Sequence, residues 1–305
     1  MSLIRRFNLI SLLFACVSSL PAIASPPTTE ATAKIRIVRD FMIVVPVTIN
    51  GSGPYDFLLD TGSTNSMLDQ RLADELTLRR EGETTVVGFR GSMTVSFAHV
   101  DSLSVAGATV TSKDFFLSTY VKLHGLPDEV RGVLGEDYLQ NFDVLIDYRR
   151  QVIQLESGLA SLAESLKGEH LPIQLNGTFQ GEPIFGRLVV TGHIPDLGDN
   201  SLSLLIDSGA NNLTLFRENL GIGANNQQFV SVGLRSARLS MMETRVVNRL
   251  SLGKREVHDL AVVAVNDHPY PDVDGLIPTS LFHSIFISHQ GRFVILNPSF
   301  PKANR

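Results

Sequence analysis

The chain has 305 residues, of which 43% are apolar and 19% are charged, and its formal net charge is −5. This length allows two domains of ordinary size, and the apolar content favours a packed core over a disordered chain. An acidic chain without a dense run of Lys or Arg is not expected to bind nucleic acid.

The first 24 residues have the pattern of an export signal. Arg5 and Arg6 give it a positive start, an apolar segment follows, and Ala22-Ile23-Ala24 offers a small-x-small cleavage site. A retained membrane anchor is the alternative, but the apolar segment is short and contains three serines. We therefore predict a signal peptide at 1–24 and an exported protein, either periplasmic or secreted.

Cys16 is the only cysteine and lies inside this segment. A chain cleaved after Ala24 would have no thiol for a disulfide, a thiolate metal site or a cysteine nucleophile. In the alternative interpretation, LFAC is a lipoprotein cleavage site and Cys16 carries a lipid anchor. Residues 25–34 are rich in Pro, Thr and Ala, so we predict that they form a flexible lead-in.

An internal repeat runs through the rest of the chain. FLLDTGSTNSMLD at 57–69 resembles LLIDSGANNLTLF at 204–216, and the segment at 131–155 resembles the segment at 274–298. The matching segments follow in the same order with nearly the same spacing. We predict two homologous lobes, 35–157 and 169–305, joined by a linker at 158–168.

Strand signals dominate both predicted lobes. IRIVRDFMIVVPVTING at 35–51 is rich in β-branched residues and ends in turn residues, and VLIDYRRQVIQL at 144–155 has the pattern of a hairpin. The clearest helical spacing is SMLDQRLADEL at 66–76. The predicted fold class is all-β with a few short helices.

Each repeat places an aspartate at the end of an apolar strand, Asp60 in the first and Asp207 in the second. A carboxylate there is costly unless something uses or satisfies it. If the lobes pack about a pseudo-two-fold axis, the two carboxyls meet and share one proton. One carboxyl then acts as a base toward water while the other donates a proton, which would allow amide hydrolysis without a metal.

These residues resemble the aspartic peptidase superfamily, in a pepsin-like bilobed arrangement of two bacterial retropepsin-like lobes. The family signature is matched by Leu58–Ser63 and by Leu205–Ala210. The resemblance implies two β-barrel lobes related by a pseudo-two-fold, with a cleft between them and with Asp60 and Asp207 as the catalytic pair. It also implies that the active site is supported by the rest of the two motifs, namely Thr61, Gly62, Ser63, Ser208, Gly209 and Ala210.

Two further segments bear on this resemblance. The family carries an apolar-apolar-Gly strand behind each Asp loop, which Val133-Leu134-Gly135 matches, whereas the second lobe has Leu276-Ile277-Pro278. The segment Gly88-Phe89-Arg90-Gly91 would be a flap of retropepsin type, since its bordering glycines suit a hairpin that opens and closes. The alternative is an ordinary hairpin with an exposed arginine.

The sequence therefore predicts an exported aspartic endopeptidase that cleaves extended peptides or proteins with a water activated between Asp60 and Asp207. The alternative is a catalytically inactive member that binds peptides or proteins, with Pro278 marking lost geometry. No cofactor or metal is expected, because the histidines show no ligand spacing. We expect a monomer in which the lobes pair within one chain.

Overall fold

The computed structural model describes residues 29–88, 91–118, 129–158, 161–179, 182–198, 201–217, 228–229, 242–265 and 272–300. Within these ranges the fold is mostly β, with 22 strands, three short α-helices and two 3₁₀ turns. The predicted all-β class with few short helices is confirmed. The predicted signal peptide at 1–24 lies outside the described residues.

Eight strands of the first half of the chain form one sheet. They are β2 (Arg36–Val38), β3 (Met42–Ile49), β4 (Ser52–Leu59), β5 (Met67–Asp69), β6 (Arg80–Gly88), β7 (Gly91–Val105), β8 (Ala108–Ser118) and β9 (Val130–Leu134). Their order in the sheet is β2-β3-β4-β9-β5-β8-β7-β6, and β3 also pairs with β7. β9 therefore lies between β4 and β5, although it follows both in sequence.

Eight strands of the second half repeat this arrangement. They are β13 (Gln174–Phe179), β14 (Glu182–His193), β15 (Ser201–Asp207), β16 (Leu213–Phe216), β17 (Gln228–Phe229), β18 (Met242–Leu252), β19 (Arg255–Val265) and β20 (Gly275–Pro278). Their order is β13-β14-β15-β20-β16-β19-β18-β17, with an additional pairing of β14 and β18. Every strand of the first sheet thus has a counterpart in the second, so the fold is two-lobed as the repeat predicted.

A third sheet takes strands from both halves. It consists of β1 (Thr29–Lys34), β10 (Asp143–Asp147), β11 (Val152–Ser157), β12 (Leu171–Pro172), β21 (Ser284–Ser288) and β22 (Phe293–Leu296), in the order β1-β11-β10-β21-β22-β12. Its central pair, β10 and β21, is antiparallel, with Val144 opposite Ile287. We propose that 35–157 and 169–305 each form a lobe, of which the first contributes β10 and β11 to this shared sheet and the second contributes β12, β21 and β22.

The helices are short and connect strands. They are α1 (Gln70–Glu75), α2 (Glu136–Leu139) and α3 (Ser161–Ser165), and the 3₁₀ turns are Pro195–Leu197 and Thr279–Leu281. The helical spacing at 66–76 was misleading at its start, because Met67–Asp69 forms β5 between β8 and β9. α1 begins only after Asp69, whose carboxylate caps it by accepting the amide of Arg71 at 2.8 Å. α3 lies within the predicted linker.

The flexible lead-in predicted at 25–34 was wrong for residues 29–34. These residues form β1, which pairs antiparallel with β11 over six register positions, from Thr29 opposite Ser157 to Lys34 opposite Val152. Ala31 and Ala33 are buried on one face of the strand. Small side chains at alternate positions let this segment lie against the core, and the ladder provides partners for its backbone.

The main core is continuous across the two lobes and the shared sheet. It includes Ile43, Val45 and Val47, which alternate along β3, and it extends to Ile146 and Ile285 on the central strands of the shared sheet. A contiguous core of this kind holds the two halves in one fixed arrangement. None of the helices in the described ranges is long and apolar enough to cross a membrane.

Candidate active site

Both predicted aspartates lie where a buried central strand ends. β4 ends at Leu59 and Asp60 follows it, while Asp207 is the last residue of β15. Each strand has a parallel neighbour, β9 or β20, and the Asp60 amide donates to the Leu134 carbonyl at 3.0 Å. The apolar triplet before each Asp is buried because the strand lies inside the sheet.

The residues after the two aspartates bind each other across the lobes. Thr61 Oγ1 donates to the Ile206 carbonyl at 2.9 Å and accepts the Ser208 amide at 3.0 Å. Ser208 Oγ donates to the Leu59 carbonyl at 2.8 Å and accepts the Thr61 amide at 3.0 Å. Both hydroxyls are therefore fully used, and four buried hydrogen bonds hold the two Asp loops face to face.

The loops bring the two carboxyl groups into hydrogen-bond contact with each other. Backbone amides hold each carboxylate from its own loop. The Gly62 amide donates to Asp60 Oδ1 at 3.0 Å, and the Gly209 amide donates to Asp207 Oδ1 at 2.7 Å. These contacts hold each carboxyl against its own loop.

The glycines of both motifs are needed for this closeness. A Cβ atom added to Gly62 would lie 2.6 Å from Cγ of Asp207, and one added to Gly209 would lie 3.1 Å from Cγ of Asp60. Each glycine therefore packs against the opposite aspartate, and any larger residue would push the carboxyls apart.

The pair is arranged to hold one proton. Burial raises the pKa of Asp60 above its ordinary value of 3.8, although the hydrogen bonds from Gly62 and Asp207 lower it in part. Burial raises the pKa of Asp207 well above 3.8, and the adjacent Asp60 charge raises it further. Two carboxyls in contact cannot both ionise readily, so the pair holds one proton between them and titrates as a unit.

A known protein family matches part of the first lobe. Residues 45–138 match the family model Asp_protease_2, described as aspartyl protease, and this match includes the first Asp motif and the strand behind it. This segment of the first lobe is therefore similar to aspartyl proteases. The second lobe repeats the strand order of the first.

One solved structure is similar to part of this chain at low sequence identity. It is the crystal structure of a retropepsin-like aspartic protease from Rickettsia conorii, whose sequence is 16% identical to this one. The match covers 44% of this chain and 95% of that protein, with a TM-score of 0.31. The search of curated proteins found no match.

Ser63 and Ala210, at the last position of the two motifs, both hold their aspartate through the backbone amide. The hydroxyl of Ser63 donates to the Asn65 carbonyl at 2.8 Å, while the Ser63 backbone supplies the hydrogen bond to Asp60. In the second lobe the amide of Ala210 donates to Asp207 Oδ1 at 3.0 Å. A hydroxyl at this position is therefore not required to hold the carboxylate, so Ala210 serves as well as a serine.

Pro278 leaves the Asp207 loop intact. In the first lobe the amide of Gly135 donates to Ser66 Oγ at 3.0 Å. The equivalent positions in the second lobe are Pro278, which has no amide hydrogen, and the fully buried Leu213. The donor and its acceptor are thus both replaced, so neither is left buried without a hydrogen-bond partner.

The predicted flap falls at the end of the β6–β7 hairpin. Gly88 pairs with Gly91 as the last register pair of the two strands. Phe89 and Arg90, predicted at the tip, lie outside the described residues. Within the part of the chain that the structure describes, no group of three or more His, Cys, Asp or Glu residues could hold a metal ion.

Sequence reasoning missed four polar residues directly behind the two Asp loops. His289 Nε2 contacts Glu136 Oε2 at 2.8 Å, and Tyr148 Oη contacts Thr279 Oγ1 at 2.5 Å. Alignment of the two repeats could have found them, because Glu136 and Thr279 each follow the strand behind an Asp loop, and Tyr148 and His289 each follow a central strand of the shared sheet.

Proposed function

We propose that this protein is an exported aspartic endopeptidase that hydrolyses peptide bonds with a water activated between Asp60 and Asp207. The observation that carries the proposal is the contact between the two half-buried carboxyls, whose loops are held together by the hydroxyls of Thr61 and Ser208. One acid and one base are thereby placed side by side without a metal.

The reaction uses the two carboxyls in opposite roles. The Asp60 carboxylate takes a proton from water as the water oxygen attacks the scissile carbonyl carbon, and Asp207 donates its proton to the carbonyl oxygen. The resulting tetrahedral gem-diol collapses when Asp60 returns its proton to the leaving nitrogen and Asp207 takes back the hydroxyl proton. The C–N bond breaks, and the pair ends with the one proton it began with.

We infer an extended peptide or protein segment as the substrate. An extended chain bonds through its backbone and presents alternate side chains to pockets, which suits a site built between two sheets. The β6–β7 hairpin, which includes Gly88 and Gly91, would cover the substrate as a flap.

Both aspartates come from one chain, so we propose a monomeric enzyme. We propose export to the periplasm or medium from the 1–24 signal, with a lipid anchor at Cys16 as the alternative.

The alternative function, an inactive peptide-binding member, depended on Pro278 as a sign of lost geometry. Asp207 keeps two backbone donors, Gly209 and Ala210, beside this proline. The local geometry therefore favours the enzyme over the binding protein.

The test is cleavage of a complex peptide library by the purified 25–305 chain from pH 3 to 8, with products identified by mass spectrometry. We expect Asp60→Asn and Asp207→Asn each to lower kcat by at least roughly 10²–10⁴-fold, the range of acid–base catalysis. Because both pKa values are raised, the singly protonated pair should persist above pH 3.8, giving a bell-shaped profile.

The matched control is Asp114→Asn, which neutralises an exposed carboxylate that pairs with His99 on the surface of the first lobe. It should cleave as the wild type does. A folded wild type that cleaves nothing at any pH would contradict the enzyme and favour the binding protein, which pull-down experiments would then address.

A further inference from the structure

Two polar contacts behind the Asp loops are related by the repeat. Glu136 follows β9 and its equivalent Thr279 follows β20, separated from them in each case by no more than one residue. Tyr148 directly follows β10, and its equivalent His289 directly follows β21. Glu136 contacts His289, and Tyr148 contacts Thr279. Each contact therefore joins one lobe to the other, and the repeat relates one contact to the other.

Each contact is attached to one of the catalytic loops. The amide of Glu136 donates to the Ser63 carbonyl at 2.8 Å, so Glu136 belongs to the segment that holds the Asp60 loop. Thr279 follows Pro278, which lies opposite Asp207 in the β15–β20 register. A shift of either contact would therefore move a loop that carries a reacting carboxyl.

The Glu136–His289 contact can change its charge between pH 3 and 8, whereas the Tyr148–Thr279 contact cannot. Burial, with a contribution from the Asp207 charge, raises the pKa of Tyr148 to about 12, so its contact with Thr279 stays neutral. Glu136 and His289 are both ionisable, and their side chains are 0% and 4% exposed. The pair of lobes is thus symmetric in geometry but not in chemistry.

The Glu136–His289 contact holds one proton. His289 Nδ1 must donate to the Phe142 carbonyl at 2.6 Å, because a carbonyl only accepts. The 2.8 Å contact between Nε2 and Glu136 Oε2 then needs one proton on either atom. Among the described residues, the second oxygen of Glu136 has no hydrogen-bond partner, so the contact with His289 is what satisfies this buried carboxyl.

We propose that Glu136 and His289 are positioning residues that hold Asp60 against Asp207 only while they share a proton, with Tyr148 and Thr279 as the neutral counterpart. The effect on catalysis rests on the proposed peptidase function. The effect on lobe packing does not, and it can be measured separately.

The charges around the pair support a proton-dependent contact. Asp60 and Asp137 face Glu136, and Asp143 faces His289. Lys113 is 3.8 Å from Asp137, and the adjacent strand β14 brings Arg187, which is paired with Asp272. Loss of the shared proton would leave the Glu136 anion buried beside the Asp60 anion, and their repulsion would loosen the Asp60 loop.

The direction of the pH effect follows from the shifts. Burial raises the pKa of Glu136 above 4.5. Burial alone lowers the pKa of His289, but the Glu136 carboxylate raises it overall above 6.5. The folded chain therefore binds more protons than the unfolded chain above pH 4.5, so this contribution to stability is complete at acidic pH. It declines from pH 4.5 as the pH rises through the raised pKa of Glu136, and the remainder is lost as the pH rises through the raised pKa of His289.

The experiment measures kcat, KM and the melting temperature against pH for the wild type and Glu136→Gln. We expect the variant to lose one ionisation from the alkaline limb of its kcat profile and to show a flatter dependence of melting temperature on pH between 5 and 8. We expect kcat to fall roughly tenfold with KM unchanged, within the range that a small misplacement costs.

Two variants serve as controls. Tyr148→Phe breaks the neutral contact and should lower kcat without changing the shape of the pH profile. Ser288→Ala removes a 3.0 Å bond to Asp143 that also joins the lobes, next to His289, but does not touch Glu136. It should lower the melting temperature with kcat and the pH profile unchanged.

The outcomes separate the two proposals. Active wild type with superimposable profiles for wild type and Glu136→Gln would overturn the positioning role and leave the peptidase standing. If the wild type cleaves nothing, the peptidase fails, and an unchanged pH dependence of melting would then overturn this inference as well. Should Glu136→Gln not fold, NMR titration of wild-type His289 decides, since a pKa at or below the ordinary 6.5 contradicts the shared proton.

Discussion

Behind Asp60, the hydroxyl of Ser66 accepts the amide of Gly135 and donates to Asp137 Oδ1 at 2.6 Å. Behind Asp207, the equivalent positions are occupied by Leu213 and Pro278, an apolar side chain and a residue without an amide hydrogen. The same close packing is reached in one lobe with hydrogen bonds and in the other without them. Such replacements are tolerated because the donor and the acceptor are lost together. The loss of only one would leave the other buried without a hydrogen-bond partner.

The two lobes are alike where they meet. Thr61 and Ser208 each donate one hydrogen bond and accept one across the interface, at distances between 2.8 and 3.0 Å. Divergence is therefore confined to the packing behind each loop, and the contact between the loops is kept.

The largest effect is expected at this shared contact. Thr61→Val leaves the Ile206 carbonyl and the Ser208 amide buried without partners, and Ser208→Ala does the same to the Leu59 carbonyl and the Thr61 amide. We expect each to cost roughly 3 kcal/mol in the free energy of unfolding, measured by urea denaturation. Thr61→Ser, which keeps the hydroxyl, should cost much less. Clearly unequal costs would show that the lobes are not equivalent at the interface.

A smaller effect is expected behind Asp60 alone. Ser66→Ala leaves the Gly135 amide without its acceptor and removes a donor from Asp137, at a cost of about 2 kcal/mol. Ser280, which occupies the position of Asp137 in the second lobe, provides the matched control. Ser280→Ala should change stability by less than about 0.5 kcal/mol. Equal losses for the two variants would refute the difference between the lobes.

The smallest effect tests directly whether Pro278 and Leu213 replace the hydrogen-bonded Gly135 and Ser66 as a pair. Pro278→Gly should cost about 1 kcal/mol, since it frees the unfolded chain and creates an amide without an acceptor. In a Leu213→Ser background the same change should be less costly by about 1 kcal/mol, because the new hydroxyl can accept that amide. A double-mutant cycle measures this coupling, and a coupling of zero would argue against paired replacement.

The sequence revealed the parts of this molecule that depend on short motifs. The Asp-Thr-Gly and Asp-Ser-Gly segments carry in a few residues both the carboxyls and the hydroxyls that join the lobes. The repeat correctly predicted two equivalent lobes, because equivalent strands keep the same apolar pattern.

Features that depend on distant partners were not predictable in the same way. Residues 29–34 have a loop-like composition and become a strand only because β11 offers an edge. Met67 fits helical spacing but lies in β5, which pairs with β8 and β9. Glu136 and His289 are 153 residues apart, and no local pattern links them.

The shared six-stranded sheet has a consequence for the time at which this chain can complete its fold. Its central pairing joins Val144 to Ile287, 143 positions later. At a synthesis rate of ~5–20 residues per second, roughly 7–30 s pass before β10 can meet β21. Until then β10 is an open strand edge, the kind of surface that pairs with other chains. The pairing that locks the two lobes together thus cannot form until nearly the whole chain has been made, and new chains are most prone to associate wrongly while it is missing.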